Sequence, residues 1–216
     1  MKMANKDMEK KFIKEIKNEL GKNLVSVIKY DYEEYVIITE KLDFSAVKRI
    51  LGFVQKRTSS KLPLFLKRSG ILNSCDVFPM EFINMKIDYE VLYGEDILKN
   101  MIFKKKDVAR ELEFELRTKL ITLRQAYLTA SSNEEIKELI TRAVPTMRPI
   151  CSGLLFLKNE KIPGSTEQIL SADYGVDIGI LNRISEGSFK EEEFEGIIRE
   201  LIEMLEKLIG DVDKII

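Results

Sequence analysis

Few residues in this chain have the type and placement for chemistry. Glu81 is set in the middle of the most apolar run, Cys75 to Asp96, CDVFPMEFINMKIDYEVLYGED. An acid inside an apolar strand loses its hydration, so it must reach a cleft, pair with a base such as Lys29 or Lys67, or stand at an exposed edge. Glu33 belongs to the acidic turn KYDYEE, Lys29 to Glu34, where solvation alone accounts for it. Arg117 and Arg124 lie seven residues apart on one helical stretch and therefore share a face. They can bridge to Glu113 or Glu111 at the surface, or line a cleft between domains and meet an anionic ligand.

The chain contains no histidine and two cysteines. This excludes Ser-His-Asp and Cys-His catalysis, His-containing zinc sites and closed cysteine-only sites. An enzyme with this composition must work through carboxylates, Lys, Arg, Tyr or a metal held by oxygen ligands. Cys75 and Cys151 are far apart in apolar surroundings, as expected of buried free thiols. Lys plus Arg (35) and Asp plus Glu (36) nearly cancel, leaving a net charge of -1. Dedicated nucleic-acid binding of the strongly basic kind is therefore not expected. Lys104-Lys105-Lys106 reads as a solvated helix entry. No run is apolar enough to span a bilayer, and the start, MKMANKDMEKKF, lacks the apolar centre of a signal peptide. A cytoplasmic location without membrane attachment is the expectation.

The elements that must position these residues follow from periodicity. Met8, Phe12, Ile16 and Leu20 predict a helix over Asp7 to Leu20 that stops at Gly21. Leu24 to Ile28 and Tyr35 to Thr39 read as short buried strands. Asp43 caps a helix whose core stripe is Phe44, Val47, Ile50, Leu51 and Val54, ended by Ser59, Ser60 and Pro63. Leu64 to Leu66 is a short strand. Val77 to Met85 is apolar on both faces, as a central strand is, with Pro79 placing a strand start or bulge there. Glu90 to Tyr93 is a last strand. Beyond it the pattern is helical: Asp107 to Thr129, a helix capped by Ser132 or Asn133, a buried apolar helix Ile150 to Leu157, two short helices, and a closing helix from Lys190 to Ile216. The expected fold class is α+β, a small mixed sheet with flanking helices followed by a C-terminal antiparallel helical bundle. The division falls near residue 100, giving 1–100 and 101–216.

Helix, strand, turn, strand, helix, a further acidic strand and then a bundle is the order of the nucleotidyltransferase superfamily, the polymerase-β-like fold. The chain resembles prokaryotic nucleotidyltransferase-like proteins in YVIITEKLD (Tyr35 to Asp43), LPLFL (Leu62 to Leu66), DVFPMEFINMK (Asp76 to Lys86), VLYGED (Val91 to Asp96), ELRTKLITLRQAYL (Glu115 to Leu128) and IPGSTEQIL (Ile162 to Leu170). The resemblance implies a Gly-Ser after the first strand, opening a helix whose N–H groups grip phosphate. It implies an Asp-x-Asp on the next strand for Mg²⁺ and a third carboxylate on a later strand, so that two metals can bridge one phosphate. Here the first strand runs into KYDYEE without Gly-Ser. Glu33 and Tyr35 stand at the Asp-x-Asp positions, and Glu81 fits the third carboxylate.

The resemblance therefore implies a catalytically degenerate protein acting as a ligand-binding or regulatory module, with no cofactor. One alternative is an active transferase in which Glu33 and Glu81 hold Mg²⁺ and serve catalysis, with Arg117 and Arg124 binding ligand. The other is an interaction protein that binds a partner or a second copy through its bundle, by way of Ile150 to Leu157. The expected partners are a nucleotide or other anionic small molecule, a second copy, or another protein.

Overall fold

The computed structural model describes residues 2–31, 34–55, 62–187 and 189–214. It is an α+β structure with a four-stranded mixed sheet, flanking helices and a series of C-terminal helices. Its contacts divide into two compact units, residues 1–75 with 85–102 and residues 76–84 with 103–216.

In the first unit, α1 (Lys2–Leu20) precedes β1 (Leu24–Tyr30), β2 (Glu34–Thr39), α2 (Phe44–Gln55), β3 (Leu64–Lys67), α3 (Arg68–Asn73) and β4 (Tyr89–Gly94). The sheet order is β3-β2-β1-β4. β1 pairs antiparallel with β2 and with β4, whereas β2 and β3 run parallel. The parallel pair needs a crossover, and α2 supplies it. Side chains alternate across strands, and both faces are dry: Val27 and Ile37 on one, Ile28, Val36 and Ile38 on the other. Val27 and Ile37 join Phe12, Ile16 and Leu20 of α1 and Ile50 and Phe53 of α2 in one core. Gly94 ends β4 at φ +83°, and a Cβ there would lie 1.9 Å from the Val25 carbonyl oxygen, so only glycine fits.

In the second unit, α4 (Pro79–Ile87, of which 79–84 belong here) is followed by α5 (Lys105–Thr129), α6 (Asn133–Thr141), α7 (Ala143–Leu157), α8 (Thr166–Leu170), α9 (Gly179–Ser185) and α10 (Phe194–Val212). Val108, Leu112, Leu116, Leu120 and Leu123 of α5 form one core with the inward stripes of α7 and α10. Ser132 accepts from the Glu135 N–H and caps α6.

Three expectations are corrected. Val77 to Met85 is not a central strand: Pro79 opens a helix. Proline suits a first helical position, where its missing N–H is not needed and its φ is already helical. The run is apolar on both faces because α4 buries Met80, Phe82, Ile83 and Met85 around most of its circumference. The stripe of α2 is also narrower than expected. Ala46, Ile50 and Phe53 are buried, but Phe44, Val47 and Leu51 are exposed. The helix expected over Ile150 to Leu157 begins earlier, at Ala143, and carries Pro145 in its first turn and Pro149 within it. Ser59 and Ser60, expected to end α2, lie outside the described residues.

Candidate functional site

The β1–β2 hairpin is the first place to look. Tyr30 pairs with Glu34 and Lys29 with Tyr35, so three residues, 31–33, connect the strands. Asp31 takes a left-handed φ of 41°, which aspartate tolerates in turns. Three residues are fewer than one helical turn of about 3.6. Glu33 lies outside the described residues.

Tyr35 is half-buried on the face covered by α1. Its ring packs on Phe12 at 5.0 Å between centroids. Its hydroxyl lies 3.5 Å from Glu9 Oε1, and the same oxygen accepts from Lys29 Nζ at 2.5 Å. The Lys29 and Glu9 side chains are only 18% and 15% exposed. Tyr35 therefore sits where a carboxylate and an ammonium already meet. Neither Glu9 nor its pairing with Lys29 was foreseen. The available signal was Glu9 one residue after Met8 on an amphipathic helix, beside the apolar face.

Glu81 lies in the first turn of α4 and is exposed. An acid there favours the helix dipole. Because its surroundings are a helix end and not an apolar strand, the desolvation expected for it does not arise. The acid drawn inward is instead Glu111 of α5. Its Oε2 accepts from the Met80 N–H at 2.7 Å, satisfying an amide that the first turn of α4 leaves open. Burial raises the Glu111 pKa above the usual carboxylate value. The Met80 hydrogen bond works against that shift, while Glu115 and Glu81 add to it.

Arg117 is held by Glu113 one turn back, at 2.8 Å, and by both carboxylate oxygens of Asp213 at 2.8 and 3.0 Å. Arg124 meets Glu206 of α10 at 2.5 Å. The two arginines share a face, as their spacing requires, and that face borders α10. Ile150 to Leu157, the stretch expected to meet a partner, lies in the core of the helical unit. Tyr127 packs against the same core.

Both cysteines are free. Cys151 is fully buried, and burial pushes its thiol up to about 12. The neighbouring Tyr174 hydroxyl donates to the Ile169 carbonyl oxygen and is likewise raised by burial. Such a thiol stays protonated and inert. Cys75 is half-buried and donates to the Ile71 carbonyl oxygen.

Among the described residues, no group of three or more Asp, Glu or Cys side chains is placed to hold a metal ion, and no helix is long and apolar enough to cross a membrane. Compared with models of known protein families and with curated proteins, the chain matches none.

Proposed function

We propose that this chain is a catalytically degenerate nucleotidyltransferase-fold protein that acts as a ligand-binding or regulatory module. The observation that carries this reading is the β1–β2 connection. Pairing of Tyr30 with Glu34 leaves three residues where the superfamily's phosphate-gripping helix would open. Without that row of N–H groups, a triphosphate lacks the donors that align it for in-line transfer.

The surroundings of Tyr35 support the same reading. In the resemblance this is a metal-ligand position. Tyrosine supplies no bidentate carboxylate, and the nearby acid, Glu9, is already neutralised by Lys29. The opening order of helix, strand, turn, strand and helix accords with the resemblance, whereas its further acidic strand is here the helix α4. The helical state of Pro79–Ile87 weakens the active alternative, because Glu81 then does not lie on a strand.

Thermal denaturation with a panel of nucleoside triphosphates, in Mg²⁺ and in EDTA, tests the reading. A ligand that binds the native state raises its apparent stability. The expected result is stabilisation by an anionic ligand to the same extent in both conditions. Stabilisation that requires Mg²⁺ would contradict the loss of the metal site.

A further inference from the structure

The near-zero net charge of the whole chain conceals a division. The sheet unit, residues 1–75 with 85–102, holds 18 Lys and Arg against 13 Asp and Glu, a net charge of +5. The helical unit, residues 76–84 with 103–216, holds 17 against 23, a net charge of −6. The two units also use their cations differently. In the helical unit Arg117, Arg124, Arg142 and Arg183 are each held by a carboxylate. In the sheet unit, among the described residues, Lys29 and Arg68 are paired, whereas Lys10, Lys11, Lys14, Lys48 and Arg49 are exposed and no carboxylate holds them.

Those five cations lie on the two helices that cover one face of the sheet. α1 and α2 pack together on the Val27 and Ile37 face, with the Phe12 and Phe53 ring centroids 6.1 Å apart. On α1 the charges are sorted by sign around the helix. At about 100° per residue, Lys10, Lys14 and Lys17 fall within an arc of about 60°. That arc is turned away from the core stripe of Phe12, Ile16 and Leu20. Glu9, Glu15 and Glu19 lie towards the core side and are half-buried, and Glu9 is already neutralised by Lys29. Asp7 is the one exposed acid among the described residues of α1. α2 contains no acid, and its Lys48 and Arg49 are exposed. The outward surface of the α1–α2 layer is therefore a field of cations whose balancing acids are turned inward or belong to the other unit.

We propose that this surface docks on the phosphate backbone of a nucleic-acid duplex, without reading its sequence. A duplex carries one charge per about 1.7 Å of its axis. Along α1 the steps from Lys10 to Lys14 and on to Lys17 are about 6 and 4.5 Å. Each ammonium, a point charge on a flexible stem, therefore finds a phosphate within reach. Several such contacts made at once release counterions, and that release drives binding.

Other polyanions match the surface less closely. Single-strand binders add aromatic rings on which bases stack, and the one ring of α1, Phe12, is buried in the core. A helix lying on a lipid surface sinks its apolar face into it, and the apolar stripe of α1 is spent on the sheet. An extended acidic polypeptide offers at most one charge per residue, about 3.4 Å apart, which is half the charge density of a duplex.

Fluorescence anisotropy of a labelled DNA duplex of about 24 base pairs, titrated with the full chain, tests this. At about 50 mM salt the expected dissociation constant is micromolar, and log affinity should fall against log salt with a slope of about −4, as for about four phosphates. Lys10→Glu with Lys14→Glu should weaken binding at least about tenfold and flatten that slope by about two. Lys137→Glu with Lys207→Glu changes the net charge of the chain equally, at exposed lysines of the helical unit, and should leave the affinity within about twofold. Far-UV circular dichroism should match for the three proteins. At equal total charge, poly-L-glutamate and vesicles containing about one-third phosphatidylserine should compete less well than unlabelled duplex. Absence of binding at about 50 mM salt with up to about 100 µM chain, an affinity indifferent to salt, equal loss in the two double variants, or stronger competition by polyglutamate or vesicles would each overturn the proposal.

Discussion

Glu9 in the sheet unit and Glu111 in the helical unit are both drawn out of solvent, and they are neutralised in different ways. Glu9 meets the ammonium of Lys29, an opposite full charge. Glu111 meets one backbone N–H at the start of α4, with Glu115 and Glu81 repelling it. The difference teaches what each unit does with a carboxylate. The sheet unit balances its acid internally at the place where the resemblance calls for a metal. The helical unit uses its acid as a helix cap and leaves it prone to take up a proton.

The largest effect should come from breaking the balanced pair. Lys29→Met leaves Glu9 mostly buried without its ammonium and should cost about 3 kcal/mol in chemical denaturation. The double variant Glu9→Leu, Lys29→Met should recover most of that loss, because replacing both charges removes the desolvation penalty as well. If the double variant is as unstable as the single one, Glu9 and Lys29 are not balancing each other.

The seat of α4 should respond next. A Cβ on Gly153 of α7 would come 2.9 Å from Met80 Sδ and 3.3 Å from Leu112 Cδ1. Gly153→Ala should therefore cost about 1–2 kcal/mol by overpacking, read from the denaturation midpoint. Methionine can swing aside, but the Leu112 side chain is fully buried and has little room to move.

Glu111→Ala removes the cap and should cost about 1 kcal/mol. Glu111→Gln separates cap from charge, since its amide oxygen can still accept from Met80. The pH dependence has a definite sign. The Glu111 pKa is higher in the folded state, so the folded state holds the proton more tightly. Stability linked to this group is greatest below the unfolded carboxylate value, about 4.3. It falls as pH rises through that value towards the folded pKa. Glu111→Gln should abolish this decline, which a series of denaturation curves across the acid range would measure. The smallest change should follow Arg124→Ala. It removes an exposed pair with Glu206, and such pairs contribute under about 1 kcal/mol.

The helical unit was largely legible in the sequence because amphipathic period alone specifies it. α5 and the Ser132 cap of α6 stand where spacing placed them, and the closing helix α10 begins at Phe194, four residues after its expected start. The sheet unit was legible in its strands, since β-branched runs such as YVIIT admit few alternatives. Its surroundings were less so. α2 has one broad apolar arc, and no periodicity distinguishes the half that meets the core from the half left open. In α4, a run apolar on both faces is equally a central strand or a buried helix. Pro79 decides between them only when taken as a first helical position. The short β1–β2 turn could be read directly, whereas Glu9 meets Lys29 only because α1 folds over β1 twenty residues later.

The central proposal is a catalytically degenerate nucleotidyltransferase fold. Incubation with nucleoside triphosphates labelled in the α-phosphate, with Mg²⁺ and a range of hydroxyl and amine acceptors, tests it most directly. The account predicts no labelled product and no pyrophosphate beyond a protein-free control. Mg²⁺-dependent pyrophosphate release that Glu81→Gln abolishes would contradict it.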